Sequence, residues 1–197
     1  MSPRAYQAGP RRRAATQATR SRIVEAAREL LAAPAATAFS IDAVAERANV
    51  ARMTVYYQFK SKAKLLEALF DDFAARANMR ELGSALADPD PACALSRLVD
   101  VFCRLWKTQG PIVRRLNALA ALDPEVDRAL RERGGWRREA LAEIVGRFHR
   151  RGDAGALVDI LHVLTSFETY DALAHARRKS EIPKLLQRAC AAIVAGR

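Results

Sequence analysis

The stretch Ser40-Ile-Asp-Ala-Val-Ala-Glu-Arg-Ala-Asn-Val-Ala-Arg-Met-Thr-Val-Tyr-Tyr-Gln-Phe-Lys-Ser-Lys62 decides how this chain is read. Ser40 has the side chain of a helix N-cap, whose oxygen can accept one of the orphan N–H groups of a first turn. A short helix over about 41–48 is expected after it. Asn49 tolerates the left-handed conformation better than any residue except glycine and marks a tight turn. A second short helix follows over about 52–58, with Val55 and Phe59 four apart and able to face a core. Two such helices joined by Ala48-Asn49-Val50-Ala51 have the dimensions of a helix-turn-helix, whose second helix enters a DNA major groove while the first crosses the backbone. Arg52, Thr54, Tyr56, Tyr57 and Gln58 leave hydrogen-bonding groups for phosphates and base edges. The spacing alone is shared with many helical hairpins, and a packed hydrophobic ledge is the competing reading of Tyr56-Tyr57.

Charge around this segment points the same way. Residues 1–62 hold eleven basic side chains against four acidic ones, so +7 of the chain's net +11 lies in its first third. A polyanionic partner is implied, nucleic acid or an anionic membrane surface, and the concentration of charge around the turn favours nucleic acid. Lys60, Lys62 and Lys64 sit at the start of the next expected helix, where the macrodipole already presents partial positive charge. A DNA phosphate there would reverse the penalty, and a merely solvated lysine cluster is the alternative.

Together with Arg22-Ile-Val-Glu-Ala-Ala-Arg-Glu-Leu-Leu31, the quoted segment closely resembles the DNA-binding domain of tetracycline-repressor (TetR) type regulators over about residues 19–73. Core spacing, turn, tyrosine pair and trailing Lys-Ser-Lys fall in order. The resemblance implies a homodimeric repressor with an N-terminal three-helix reading head and a C-terminal helical domain that dimerises and binds a small effector. Carried over position by position, Ser40 would contact a phosphate, and Arg52, Met53 and Thr54 would open the recognition helix. Tyr56 and Tyr57 would brace the DNA backbone, with Lys60 and Lys62 beside the phosphates. Three positions depart from the usual pattern: Asn49 for the turn glycine, Ala51 for the capping serine and Gln58 for a common histidine. Losing the serine removes one capping bond, at roughly 1 kcal/mol. These departures bear on which operator is read.

Outward from this segment the chain reads as all-α, because Ala, Leu, Arg and Glu dominate and apolar residues recur at spacings of three and four. About nine helices are expected, over roughly 17–33, 41–48, 52–58, 61–80, 92–108, 111–121, 124–150, 154–179 and 181–195. Residues 1–15, with Pro3, Gly9, Pro10 and an arginine cluster, read as a disordered basic arm. The expected domains are a helix-turn-helix domain over 16–80, with the motif at about 40–59, and an effector-binding and dimerisation domain over 81–197. The helix of 61–80 is the expected lever between them. Gly134-Gly135 would kink or break its helix, or form a simple loop.

In the C-terminal half, Phe102, Trp106, Asn117, Phe148, His162, Thr165 and Ser166 combine aromatic walls with a few polar handles, as a pocket for a small apolar or amphipathic effector would. Each is also a candidate core residue. Leu161, Leu164, Phe167, Tyr170, Leu185, Ala189 and Ile193 lie on the two last apolar helices, which suit a four-helix bundle across a two-fold axis; an intramolecular core is the alternative. A dimer would place two recognition helices about 34 Å apart, one turn of B-DNA, and so read a palindromic double-stranded operator.

Composition removes several classes. Half of the 197 residues are apolar and 7% aromatic, which disfavours a wholly disordered chain and weakens an all-β reading. Cys93, Cys103 and Cys190 are odd in number with no short paired spacing, so neither a disulfide framework nor a zinc site is expected, and a reducing cytoplasm is the expected location. No apolar run approaches the 18 or so residues of a membrane span. His149, His162 and His175 are each 13 apart, which makes no ligand pair on a helix. With no phosphate-binding glycine loop or nucleophile elbow, no catalysis, metal or cofactor is expected. The runner-up function is a basic helical module that binds another protein or an acidic surface, and a third reading keeps DNA binding without any effector.

Overall fold

The structure is a computed structural model that describes residues 10–33, 39–148 and 152–196. Among the described residues there are ten α-helices and no strand: α1 Pro10–Ala32, α2 Ile41–Arg47, α3 Arg52–Phe59, α4 Lys62–Arg76, α5 Glu81–Leu86, α6 Pro91–Ala120, α7 Pro124–Gly146, α8 Ala154–Leu164, α9 Phe167–Ala176 and α10 Ile182–Val194. None is long and apolar enough to cross a membrane. Of the arm expected over 1–15, residues 1–9 lie outside the described residues, while 10–15 belong to the first turns of α1. His149 also lies outside them.

The count differs from nine for local reasons. Gly110-Pro111 does not end a helix: Pro111 sits inside α6. An interior proline costs about 3 kcal/mol, and burial of Ile112, Val113 and Leu116 just beyond it offsets that cost. Gly134 and Gly135 likewise lie within a continuous α7. Conversely, the run of 154–179 splits, because Ser166 caps a new helix by accepting from the Thr169 N–H at 3.2 Å. Asn78, at φ 53°, follows the end of α4 in the left-handed conformation, and the short α5 comes after it.

The helices gather into two compact units, Met1–Leu69 and Phe70–Arg197, with the division inside α4. In the first unit Ile23, Ala26, Ala27 and Leu31 form the apolar stripe of α1. They share a core with Val44 and Ala45 of α2, Val55 and Phe59 of α3, and Leu65, Leu66 and Leu69. Truncating one such buried leucine to alanine removes about 2–5 kcal/mol. Two arginines tie the helices together. Arg47 pairs with Glu29 at 2.9 Å, linking α2 to α1. Arg20 of α1 donates to the Gln58 carbonyl at 2.8 Å, with its guanidinium 4.2 Å from the Phe59 ring centre.

The second unit is built around α6, whose Leu95, Leu98, Val99, Phe102 and Cys103 pack with Leu141, Ile144 and Val145 of α7, Leu157, Val158 and Leu161 of α8, and Ile182, Leu186, Cys190 and Val194 of α10. Burial pushes the thiols of Cys103 and Cys190 up to about 12 and about 11, so they behave as small apolar side chains. Arginines again serve helix ends. Arg104 donates to the Ala77 carbonyl at 2.9 Å just past α4, and Arg147 to the Leu86 carbonyl at 2.8 Å at the end of α5.

Candidate nucleic-acid interface

Ser40 caps α2, its Oγ accepting from the Ala43 N–H at 3.2 Å. The hydroxyl proton remains able to bond a phosphate, since accepting and donating use different parts of the same group. After α2 the chain turns at Asn49 with φ 50°, and the Val50 N–H bonds the Ala45 carbonyl at 3.0 Å. Ala51 stands at the N-cap of α3 in extended geometry with no side-chain capping bond. The motif is therefore a helix-turn-helix with its second helix uncapped by a side chain.

On α3 the side chains divide by face. Val55 and Phe59 are buried, while Met53 is 58% exposed and Tyr57 73% exposed, four residues apart on the opposite side. Two large side chains are thus left in water beside the turn. Arg52 is exposed at the helix start. It pairs with Asp42 of α2 at 2.9 Å, bonds the Tyr56 hydroxyl at 3.4 Å and lies 5.6 Å from the Tyr56 ring centre. The Tyr56 hydroxyl and the Asp42 carboxylate push the guanidinium further up from its ordinary value. An exposed pair of this kind contributes about 0–1 kcal/mol, so phosphates can displace Asp42. Thr54 and Gln58 are half-buried at the two ends of the same face.

The lysines beyond α3 divide as well. Lys60 is exposed in the left-handed conformation at φ 65° and has no ion pair among the described residues. Lys62 lies 5.7 Å from the Phe39 ring centre. Lys64 pairs with Glu67 at 2.8 Å, an exposed pair like that of Arg52 with Asp42. Ser61 caps α4, accepting from the Lys64 N–H at 3.2 Å. Arg20, which the sequence reading counted only as charge, anchors the back of α3 through Gln58 and Phe59 and so fixes how the helix presents Met53 and Tyr57.

Residues 23–69, which contain this whole arrangement, match the family model described as bacterial regulatory proteins, tetR family. That segment, 47 of the 197 residues, is a tetR-family regulatory domain. Members of this family are DNA-binding transcriptional regulators, and the helix-turn-helix of α2 and α3 is the DNA-binding element here. Solved structures share the fold along most of the chain. A TetR transcription regulator from Haloarcula marismortui is 15% identical with a TM-score of 0.67, covering 91% of this chain and 98% of that one. A transcriptional regulator from Rhodococcus sp. RHA1 is 17% identical with a TM-score of 0.67, covering 90% and 96%. A protein from Saccharomonospora viridis, solved in complex with choline, is 19% identical with a TM-score of 0.66, covering 87% and 95%. No curated protein matches at a significant level.

In the second unit, four of the seven residues expected around an effector come together and three do not. Phe102 and Trp106 pack with ring centres 5.9 Å apart, and the Trp106 indole N–H donates to the Thr165 carbonyl at 3.0 Å. His162 faces Arg137, its Nε2 3.4 Å from the guanidinium, which in turn lies 5.6 Å from both aromatic ring centres. Asn117 instead bonds Glu168 at 2.7 Å, Ser166 is spent on capping α9, and Phe148 is half-buried after the end of α7. Arg137 is the member the sequence reading missed. Among the described residues no group of three His, Cys, Asp or Glu side chains is placed to hold a metal ion.

The expected dimer residues also divide. Leu161, Phe167 and Tyr170 are buried in the unit's own core, with Phe167 against Trp106 at 5.8 Å, so they are not presented to a partner. Leu164, Leu185, Ala189 and Ile193 are half-buried. The large apolar residues left in water on α8 are Ile160 and Val163, one turn apart. Their register is one residue away from that of the buried Leu161, which is why a helix drawn as a single apolar stripe assigns them to the wrong side.

Proposed function

We propose that the protein is a cytoplasmic homodimeric repressor that holds a palindromic double-stranded operator and is released by a small apolar or amphipathic effector. The observation that carries DNA reading is the exposed pair Met53 and Tyr57 on α3, flanked by Arg52, Lys60 and the capping Ser40. Apolar contact suits thymine methyl groups, and the hydroxyl, ammonium and guanidinium groups suit phosphates. Exposed Ile160 and Val163 support a second copy as the partner of α8. The choline in the Saccharomonospora viridis structure supports a small molecule as the ligand of this fold. A switch from 1:99 to 99:1 between bound and released forms needs about 5.5 kcal/mol of differential effector affinity. No reaction is assigned to the chain.

The test is selection of bound duplexes from a random pool by the full chain at near-physiological salt. The expected result is an enriched palindrome whose half-sites lie one helical turn apart. Tyr57→Ala should abolish the preference while leaving helicity and oligomeric state unchanged. Enrichment no better than for an unrelated basic protein overturns the reading.

A further inference from the structure

Arg137 is only 9% exposed, and among the described residues it forms no ion pair. Its Nε has no hydrogen-bond partner. Its remaining surroundings are two aromatic rings and an imidazole. Glu168, whose field reaches it, is bonded instead to Asn117. Burying an uncompensated guanidinium is costly, and the cost shows in its acidity, lowered by burial to about 10.

The neighbours are short of acceptors in the same way. A guanidinium can only donate, so the 3.4 Å contact makes His162 Nε2 the acceptor and puts the imidazole proton on Nδ1, which is itself buried without a partner. Burial, then Arg137 and Arg138, lower the His162 pKa, so the ring is held neutral. The Tyr170 hydroxyl is a further buried group without a partner, one turn after Phe167, whose ring meets Trp106. On the α6 face that carries Phe102 and Trp106, the buried Gln109 Oε1 lacks a donor instead. Gly134, one turn before Arg137 on α7, is half-buried, yet nothing lies within 4 Å of where its side chain would begin. Trp106 and His162 are half-exposed and bring the edge of the cluster to solvent.

We propose that Arg137, His162, Phe102 and Trp106 form the receptor for a small organic anion, a carboxylate carried on an apolar or aromatic body. The carboxylate pairs with the Arg137 guanidinium and accepts from its free N–H, while the apolar body lies along the Phe102 and Trp106 rings and the open face at Gly134. An uncharged ligand would leave the buried cation uncompensated, and a cationic one would be repelled. This assignment rests on reading the second unit as an effector domain and names the chemical class of that effector.

The test is thermal unfolding of the full chain with benzoate, phenylacetate and octanoate, each beside its primary amide, and with tetramethylammonium as a cationic control. At least one acid is expected to raise the melting temperature by about 3–6 °C at a concentration about tenfold above its dissociation constant, with no comparable shift from its amide or from the cation. Arg137→Met, which replaces the charge by an apolar side chain of similar length, should fold and lose the shift. Gly134→Leu, a better helix former that fills the open face, should fold and lose most of it. Equal shifts from acids and amides, a shift retained in Arg137→Met, or no shift from any of the three acids overturns the assignment. Operator binding is measured in parallel. An acid that stabilises the protein without releasing DNA supports the ligand class and overturns release. Intact DNA binding with no acid response overturns the ligand class and leaves the repressor reading standing.

Discussion

Lys60 joins α3 to α4 with φ 65°, a conformation that costs a lysine roughly 1–2 kcal/mol. Its N–H bonds the Tyr56 carbonyl at 2.8 Å, so the strain is held by the end of the recognition helix. Lys60→Gly should raise stability by about 0.5–1 kcal/mol in urea unfolding, the released strain less the extra unfolded-chain entropy of glycine. The same change should lower the slope of log affinity against log salt for DNA by about one, the mark of one lost phosphate contact. A stabilised variant with an unchanged slope would make Lys60 a linker residue and nothing more. At this scale the sequence hid two residues for one physical reason. Arg20 and Arg137 both occupy positions on the apolar stripe of their helix, Arg20 with Ile23, Ala27 and Leu31, and Arg137 with Ala140, Leu141 and Ile144. A tally of charge sees them as solvated. Their register turns both toward aromatic rings, Arg20 half-buried and Arg137 buried, and that register is present in the sequence.

At the scale of elements, α3 is the shortest helix of the first unit after α2 and lacks a side-chain cap, although Ala51 already has the extended geometry of a capping residue. Ala51→Ser should therefore add about 1 kcal/mol. In a chain of this size that is a rise of about 2–4 °C in melting temperature, checked by calorimetry. A fall would mean that the hydroxyl meets something the alanine avoids. The helix-turn-helix was legible because its signals are local: a serine cap, an asparagine turn and two buried residues four apart. The later helices were less so. Pro111 is a strong local stop that the burial of Ile112, Val113 and Leu116 overrides. Ser166 is a modest local start that takes hold because Val163 leaves its carbonyl to the Thr169 hydroxyl at 2.7 Å. Asn78 takes the same left-handed conformation as Asn49, but it stands in a polar stretch with no flanking helix signals to mark it as a turn.

At the scale of the whole molecule, the proposed homodimer would bring two such +7 segments to one operator, and site selection would gain from the pair because one short helix reads few base pairs. Pairing requires an apolar face that a single copy leaves in water. The residues expected at a dimer face include Leu161, Phe167 and Tyr170, which turn inward, since periodicity gives a stripe and not the side of it that the chain's own core takes. With Leu161, Phe167 and Tyr170 buried internally, the face open to a second copy is that of Ile160 and Val163, with half-buried Leu185 and Ala189 on α10. The double variant Ile160→Asp, Val163→Asp places two carboxylates there without touching the core, so helicity and melting should change little in the monomer. Sedimentation equilibrium should show a shift from dimer to monomer. Affinity for a full palindrome should fall by about 100-fold or more, because linking two half-site contacts raises avidity on that order, while affinity for an isolated half-site should hold. A variant that remains dimeric would place the two-fold axis on another face. A monomeric variant with undiminished affinity for the palindrome would mean that one copy suffices, and the need for pairing would go with it.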